Sequence, residues 1–80
     1  MSYGEEVHYD LYNLVLVDVG PNFAKILLEV KLLTGKSTRE VGALLKSDRP
    51  VILQGPKREL VVDSVKLEKL GAELEYELVR

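Results

Sequence analysis

The sequence has no cysteine and a single histidine, His8, in 80 residues. Disulfide bonds and thiolate metal sites are therefore excluded, and nothing in the composition calls for an oxidising compartment. His8 has no second ligand at metal-binding spacing, so we interpret it as a residue without a metal or catalytic role. No cofactor is expected.

Long apolar runs are absent as well. Met1 is followed closely by Glu5 and Glu6, which does not match the basic and apolar pattern of a secretory signal. No segment approaches the roughly 20 apolar residues that a membrane-spanning helix needs. We therefore expect a cytoplasmic protein with no membrane partner.

The chain also lacks a strong charge of either sign. Its net charge of −2 at pH 7 gives no positive field that would attract nucleic acid, so nucleic acid is a disfavoured partner. A length of 80 residues with 46% hydrophobic and 30% charged residues is typical of one small globular domain. We expect a flexible tail over residues 1–6 and a single domain over residues 7–80.

No catalytic group of residues can be assembled. Four aspartates fall on different predicted elements: Asp10, Asp18, Asp48 and Asp63. Neither a carboxylate pair nor a nucleophile–base pair results. The run from Gly35 to Thr38 resembles the end of a phosphate-binding loop, but Val30 stands where that loop needs a glycine, and a helix precedes it instead of a strand. The sequence predicts a protein that is not an enzyme.

Two helices are predicted to meet at the centre of the chain. Pro21 and Asn22 favour a helix start, with the Asn22 side chain as the cap, and Gly35 favours a left-handed stop. Ser37 and Glu40 have capping-box spacing, which starts a second helix at Thr38. Helical spacing predicts these buried residues: Phe23, Ile26, Leu27, Val30, Leu33, Val41, Leu44 and Leu45. We interpret Gly42 as a small residue that lets the helices approach.

Strand patterns lie on both sides of this helical pair. An apolar strand is predicted from Val7 to Val19, a short edge strand follows Pro50, and an alternating strand covers 72–78. A third helix is predicted from Lys57 to Leu70, with Leu60, Ser64 and Leu67 buried. In the last strand Leu74, Tyr76 and Leu78 are predicted to face inward, and Glu73, Glu75 and Glu77 to face water.

Short connections place the first strand between the other two. The sequence therefore predicts an α+β fold, a β-α-α-β-α-β two-layer sandwich with three helices on one face of a three-stranded sheet. Leu11, Val15 and Val17 would then face solvent on the outer side of the sheet. Self-association through that face, or coverage by the N-terminal residues, would hide them.

Several runs in this order resemble the C-terminal domain of the bacterial large-subunit ribosomal stalk protein. They are Asp18-Val19-Gly20-Pro21-Asn22, Ile26-Leu27, Val30-Lys31, Thr34-Gly35, Arg39-Glu40, Arg49-Pro50-Val51 and 67–75, Leu-Glu-Lys-Leu-Gly-Ala-Glu-Leu-Glu. The resemblance covers roughly residues 9–78. It implies the same fold and no enzymatic activity. It also implies recruitment of translation GTPases to the ribosome through the exposed side of the first two helices.

The resemblance places this partner-binding side at Ala24, Leu28 and Lys31 on the first helix and at Thr38 and Gly42 on the second. Helical spacing alone also aligns Leu32 with Ala24 and Leu28 on the side away from the core, next to Lys31. With Arg39 added, the predicted partner-binding residues are Ala24, Leu28, Lys31, Leu32, Thr38, Arg39 and Gly42. The leading hypothesis is a protein–protein interaction module whose partner is the ribosome or a translation GTPase.

Two alternatives from other classes stay open. The second helix could act as the recognition helix of a helix-turn-helix, offering Lys36, Arg39 and Lys46 to the major groove of DNA. The domain could instead be a structural homodimer that forms through the outer face of the sheet and has no other ligand.

Overall fold

The computed structural model describes residues 10–79, which form three strands and three helices. The elements are β1 (Tyr12–Asp18), α1 (Phe23–Thr34), α2 (Thr38–Lys46), β2 (Val51–Gly55), α3 (Lys57–Lys69) and β3 (Glu73–Leu78). This order confirms the predicted α+β class. The predicted tail, His8 and residues 7–9 of the predicted first strand lie outside the described part. Asp10 and Leu11 precede β1 instead of belonging to it.

The sheet has the order β2-β1-β3, and both outer strands run antiparallel to β1. The prediction that the first strand is central is therefore confirmed. A central position suits β1 because Leu14 and Leu16, which are 0% and 3% exposed, need cover on one face and paired strands on both sides. β2 follows Pro50 at one edge, as expected for a strand that begins after a residue without an N–H.

The core lies between the inner face of the sheet and the three helices. Its buried apolar side chains are Leu14, Leu16, Ile26, Val30, Val41, Leu45, Ile52, Leu60, Leu67 and Ala72. Ser64 is the buried polar residue in this layer, and its hydroxyl lies 3.0 Å from the Val61 carbonyl oxygen and 2.7 Å from the Tyr76 hydroxyl. Hydrogen bonding offsets the cost of removing this hydroxyl from water.

The junction of α1 and α2 forms as the local sequence predicts. Gly35 adopts a left-handed conformation with φ of 74°, and its N–H donates to the carbonyl oxygen of Lys31 at 2.8 Å. The Ser37 hydroxyl accepts from the Glu40 N–H at 3.1 Å, and the Glu40 carboxylate accepts from the Ser37 N–H at 3.0 Å. This reciprocal pair is the predicted capping box, and it starts α2 immediately after the stop of α1.

Two glycines, Gly20 and Gly71, allow the β1–α1 loop to pack closely against the end of α3. At the end of α3, Gly71 has φ of 102°, and its N–H donates to the carbonyl oxygen of Glu68. The neighbouring Ala72 N–H donates to Leu67, which completes a Schellman motif. Gly20 lies against this turn so closely that a Cβ at Gly20 would stand 2.1 Å from the Gly71 carbonyl oxygen. A side chain at position 20 would therefore separate the β1–α1 loop from the end of α3.

Two local predictions were wrong, and a third residue is less buried than its pattern suggests. The Asn22 side chain makes no capping hydrogen bond; its Nδ2 donates instead to the carbonyl oxygen of Leu70 at 2.7 Å, which ties the start of α1 to the end of α3. Phe23 was predicted to be buried but is exposed, because it lies in the first turn of α1, where helical cover ends. Leu78, which was predicted to face inward, is 40% exposed because it is the last residue of β3.

Candidate protein-docking face

The outward side of α1 carries a row of apolar residues that nothing in residues 10–79 covers. Ile26 and Val30 face the core and are fully buried, whereas Leu28 is 57% exposed and Leu32 is 81% exposed. Ala24 is also exposed, one turn before Leu28. The i, i+4, i+8 spacing places the three side chains along one line of the helix. The predicted apolar row is therefore present on the surface.

A hydrogen bond joins this row to α2. The Lys31 ammonium donates to the Thr38 hydroxyl, with 2.6 Å between Nζ and Oγ1. Lys31 is half-buried and Thr38 is exposed in the first turn of α2, so the bond bridges the two helices at their outer rim. The bond brings Lys31 and Thr38 together. We use the name docking face for the seven predicted residues on α1 and α2: Ala24, Leu28, Lys31, Leu32, Thr38, Arg39 and Gly42.

Gly42 lies in the middle of α2 next to Leu27 of α1. A Cβ at this position would lie 4.0 Å from Leu27 Cδ1, an ordinary van der Waals distance. The helices therefore leave space for a small side chain, so their approach does not depend on a glycine at this position. The glycine does leave the centre of the docking face flat.

The docking face is positively charged. Lys31 and Arg39 contribute cations, and Arg39 forms no ion pair among the described residues. Glu40 is the nearest acid in α2, but its carboxylate is held in the capping box. The hydrogen bonds with the Ser37 backbone N–H and then the Ser37 hydroxyl hold the pKa of Glu40 below its usual value. Its negative charge therefore belongs to the helix start, where Lys36 also interacts with it.

The outer face of the sheet differs from its prediction. Val17 and Leu11 are exposed as expected, but Val15 is only 1% exposed. Val15 lies directly between Val51 of β2 and Glu75 of β3. The prediction that Val15 faces solvent was wrong, because side chains of this chain cross the sheet above it.

Arg49 is the residue that crosses. It lies just before β2, yet its Nη2 is 2.7 Å from Glu75 Oε1 and 3.3 Å from Glu77 Oε2, both on β3. Since β1 lies between β2 and β3, the Arg49 side chain must pass over the outer face of β1 to reach these carboxylates. The pairing with Glu75 and then Glu77 raises the pKa of the Arg49 guanidinium above its usual value. The predicted exposure of both glutamates is correct, but they are paired as well.

The backbone of Arg49 also has an unusual conformation. Its φ of 46° makes it the non-glycine residue with positive φ in the described chain. A left-handed conformation costs an L-residue on the order of 1–2 kcal/mol. Sequence reasoning missed this residue, because no pattern along the chain distinguishes a left-handed arginine from any other turn residue.

Within residues 10–79, no three histidine, cysteine, aspartate or glutamate side chains come together in a way that could hold a metal ion. In the same part of the chain, no helix has the length and apolar character needed to cross a bilayer.

Comparison of the sequence with protein-family models finds no family that matches it. Comparison with curated proteins likewise finds no match. The resemblance to the stalk-protein C-terminal domain therefore depends on the residue pattern of the chain, and the family assignment stays a prediction.

Proposed function

We propose that this domain is a non-catalytic protein–protein interaction module that binds a protein partner through the docking face. The observation that supports this most directly is the exposure of Leu28 and Leu32 beside Lys31 on one rigid pair of helices. Single exposed leucines are common, but an aligned pair next to a cation is the kind of patch that a partner helix covers.

The partner that fits this face presents apolar side chains flanked by carboxylates. Apolar groups would cover Leu28 and Leu32, and acidic groups would approach Lys31 and Arg39. Such complementarity sets orientation and association rate more than affinity. The flat surface at Gly42 lets a partner helix lie close to α2.

The resemblance to the stalk-protein domain gives this partner a class. In that family the corresponding helices bind translation GTPases at the ribosome, so we propose a ribosome or a translation GTPase as the partner. The positions that correspond here are Ala24, Leu28, Lys31, Thr38 and Gly42, and the hydrogen bond between Lys31 and Thr38 joins the two helices that carry them.

The experiment is a titration of the isotopically labelled protein with purified ribosomes and, separately, with translation GTPases. Amide shift changes should concentrate on α1 and α2 around Leu28, Lys31 and Thr38. Shifts confined to other elements, or no shifts, would contradict the proposal. Binding of duplex DNA at low salt through Arg39 and Lys46 would favour the helix-turn-helix alternative.

A matched pair of variants separates binding from folding. Leu28→Asp should reduce partner affinity more than tenfold while the unfolding free energy changes by about 0.5 kcal/mol or less, because the side chain is 57% exposed. Val62→Asp is the control, since Val62 is 59% exposed on α3 and lies outside the docking face. Equal loss of affinity in both variants would argue against a site on α1 and α2.

A further inference from the structure

β3 has one edge that pairs with β1 and one edge that, within residues 10–79, pairs with no strand. An open edge leaves a row of backbone donors and acceptors that another extended chain can use. In β3 this row runs along six residues, Glu73–Leu78, the length of an ordinary strand.

The register identifies the residues whose backbone groups are open. The Val79 N–H donates to the carbonyl oxygen of Leu11 at 2.9 Å, so Val79 directs its backbone groups toward β1. Directions alternate along a strand, and Glu75 and Glu77 therefore share the direction of Val79. Leu74, Tyr76 and Leu78 direct their N–H and C=O groups to the open edge.

The two faces beside this edge have opposite character. On the outer face, Glu73, Glu75 and Glu77 form a row of exposed carboxylates with a period of two. Arg49 pairs with two of them, and no cation pairs with Glu73 in the described chain. The outer side of the edge is therefore acidic.

The inner side of the edge carries apolar residues and one lysine, Lys57, whose ammonium lies 5.0 Å from the centre of the Tyr76 ring. Ser64 of α3 contacts the Tyr76 hydroxyl, which places α3 above β3. Val61 and Val65 lie next to Ser64 on the side of α3 away from Leu60 and Leu67, and each is 40% exposed. Leu78 is exposed to the same degree at the end of β3. These three side chains leave an apolar shelf above the open edge.

We propose that the open edge of β3 binds an extended peptide segment in which basic and apolar residues alternate. Residues of the segment that oppose Leu74, Tyr76 and Leu78 form the backbone hydrogen bonds and direct apolar side chains toward Val61 and Val65. Residues that oppose the three glutamates direct lysine or arginine to the outer face. Strand addition of this kind takes affinity from the backbone and specificity from alternate side chains.

The β3 strand of a second copy of this chain does not fit the same edge. Pairing of β3 with β3 of another copy would set the glutamate rows against each other on the outer face, and like charges that face each other across strands are destabilising. The site is also separate from the docking face, which lies on α1 and α2, so either can fail without the other.

The test uses the full chain and a capped synthetic peptide of alternating lysine and valine. Binding should shift the amide signals of Leu74, Tyr76 and Leu78 and slow their hydrogen exchange. It should weaken at least about threefold between 50 and 500 mM NaCl, because the outer contacts are charge pairs near solvent. Two control peptides have the same length. In the first, glutamate alternates with valine; in the second, all lysines form one block and all valines form another.

Two variants locate the site. Leu78→Pro removes an outward N–H that the fold does not use, whereas Leu78→Ala keeps it, so proline should weaken binding about two- to tenfold further than alanine. Glu73→Lys leaves the Arg49 pairs intact and should shift the preference from the lysine peptide toward the glutamate peptide. This second variant keeps the test decisive if Leu78→Pro does not fold.

Several results would overturn the proposal. They are an absence of protection at Leu74, Tyr76 and Leu78, equal binding of the block peptide, and equal binding of the glutamate peptide to the unmodified chain. Sedimentation of the free protein as a dimer whose contact lies on β3 would assign the edge to a second copy and would overturn it as well.

Discussion

The outer surface of α1 and the outer face of the sheet both carry apolar residues, but among residues 10–79 side-chain cover reaches only Val15, in the middle of the sheet. On the sheet, Val15 is buried under the Arg49 side chain and its partners on β3. On α1, Leu28 and Leu32 remain exposed although Lys31 lies beside them. The basic side chains beside the two surfaces make different contacts. Arg49 extends over Val15 to reach carboxylates on β3, whereas Lys31 forms a hydrogen bond with Thr38 on α2.

This difference shows when a long basic side chain covers the apolar surface beside it. The stem of a long basic residue shields apolar atoms when its charged head has a partner on the far side. Glu75 and Glu77 provide that partner for Arg49. Among residues 10–79 Lys31 forms no ion pair across the row on α1, and Leu28 and Leu32 stay exposed.

The largest expected effect contrasts the two surfaces directly. Val15→Ala should lower the unfolding free energy by about 2 kcal/mol, because it removes buried methyl groups from a covered site. Leu32→Ala removes more atoms but should change stability by about 0.5 kcal/mol or less, because the side chain is 81% exposed. Denaturant unfolding of both variants checks this, and equal effects would mean that the two surfaces are equally covered.

A second prediction concerns the residue that covers Val15. Arg49→Ala should cost about 1 kcal/mol, because the ion pairs and the cover are lost while the positive φ remains. Arg49→Gly loses the same contacts but relieves the backbone strain. Its unfolding free energy should therefore differ from that of the unmodified protein by about 0.5 kcal/mol or less. Thermal unfolding of the pair measures the difference; a less stable glycine variant would contradict the role of strain.

On the helical side, Ser37→Ala should destabilise the protein by about 1 kcal/mol through loss of the capping box. Denaturant unfolding measures this loss.

The same capping box predicts that stability depends on pH. Because the pKa of Glu40 is lowered in the folded state, its contribution is fully present above its ordinary value near 4.3 and is lost as the pH falls through the lower folded value. The helix content of α2, measured from amide shifts, should decrease as the pH falls through this range. In Glu40→Gln the decrease should be smaller.

The smallest predicted change is at the centre of the docking face. Gly42→Ala should stabilise the protein by about 0.5–1 kcal/mol, since the new Cβ meets only Leu27 at an ordinary distance and the unfolded chain loses freedom. Chemical denaturation measures this gain. If stability rises while partner affinity falls, the flat surface at Gly42 is used for binding; if stability falls, the helices are closer than the structure shows.

Local sequence rules predicted the elements because their signals act over a few residues. The stop at Gly35, the start at Ser37 and the alternation from Glu73 to Leu78 each involve neighbours in the chain, and each formed as predicted. The exposed apolar row on α1 was also predictable, since Leu28 and Leu32 fall opposite Ile26 and Val30 on any helical wheel. The exposure of residues at the ends of elements was not predictable: Phe23, the first residue of α1, and Leu78, the last of β3, follow the apolar pattern but extend past the cover.

By itself, the sequence determined the order of strands and helices, the central place of β1 and the apolar row on α1, because periodicity and capping are properties of adjacent residues. Only the tertiary structure decided that Asn22 ties to Leu70, that Arg49 crosses the sheet to Glu75, and that Gly20 must touch Gly71. Each of these contacts joins residues more than 20 positions apart. Their partners are chosen by how the layers pack, and no local pattern along the chain encodes that choice.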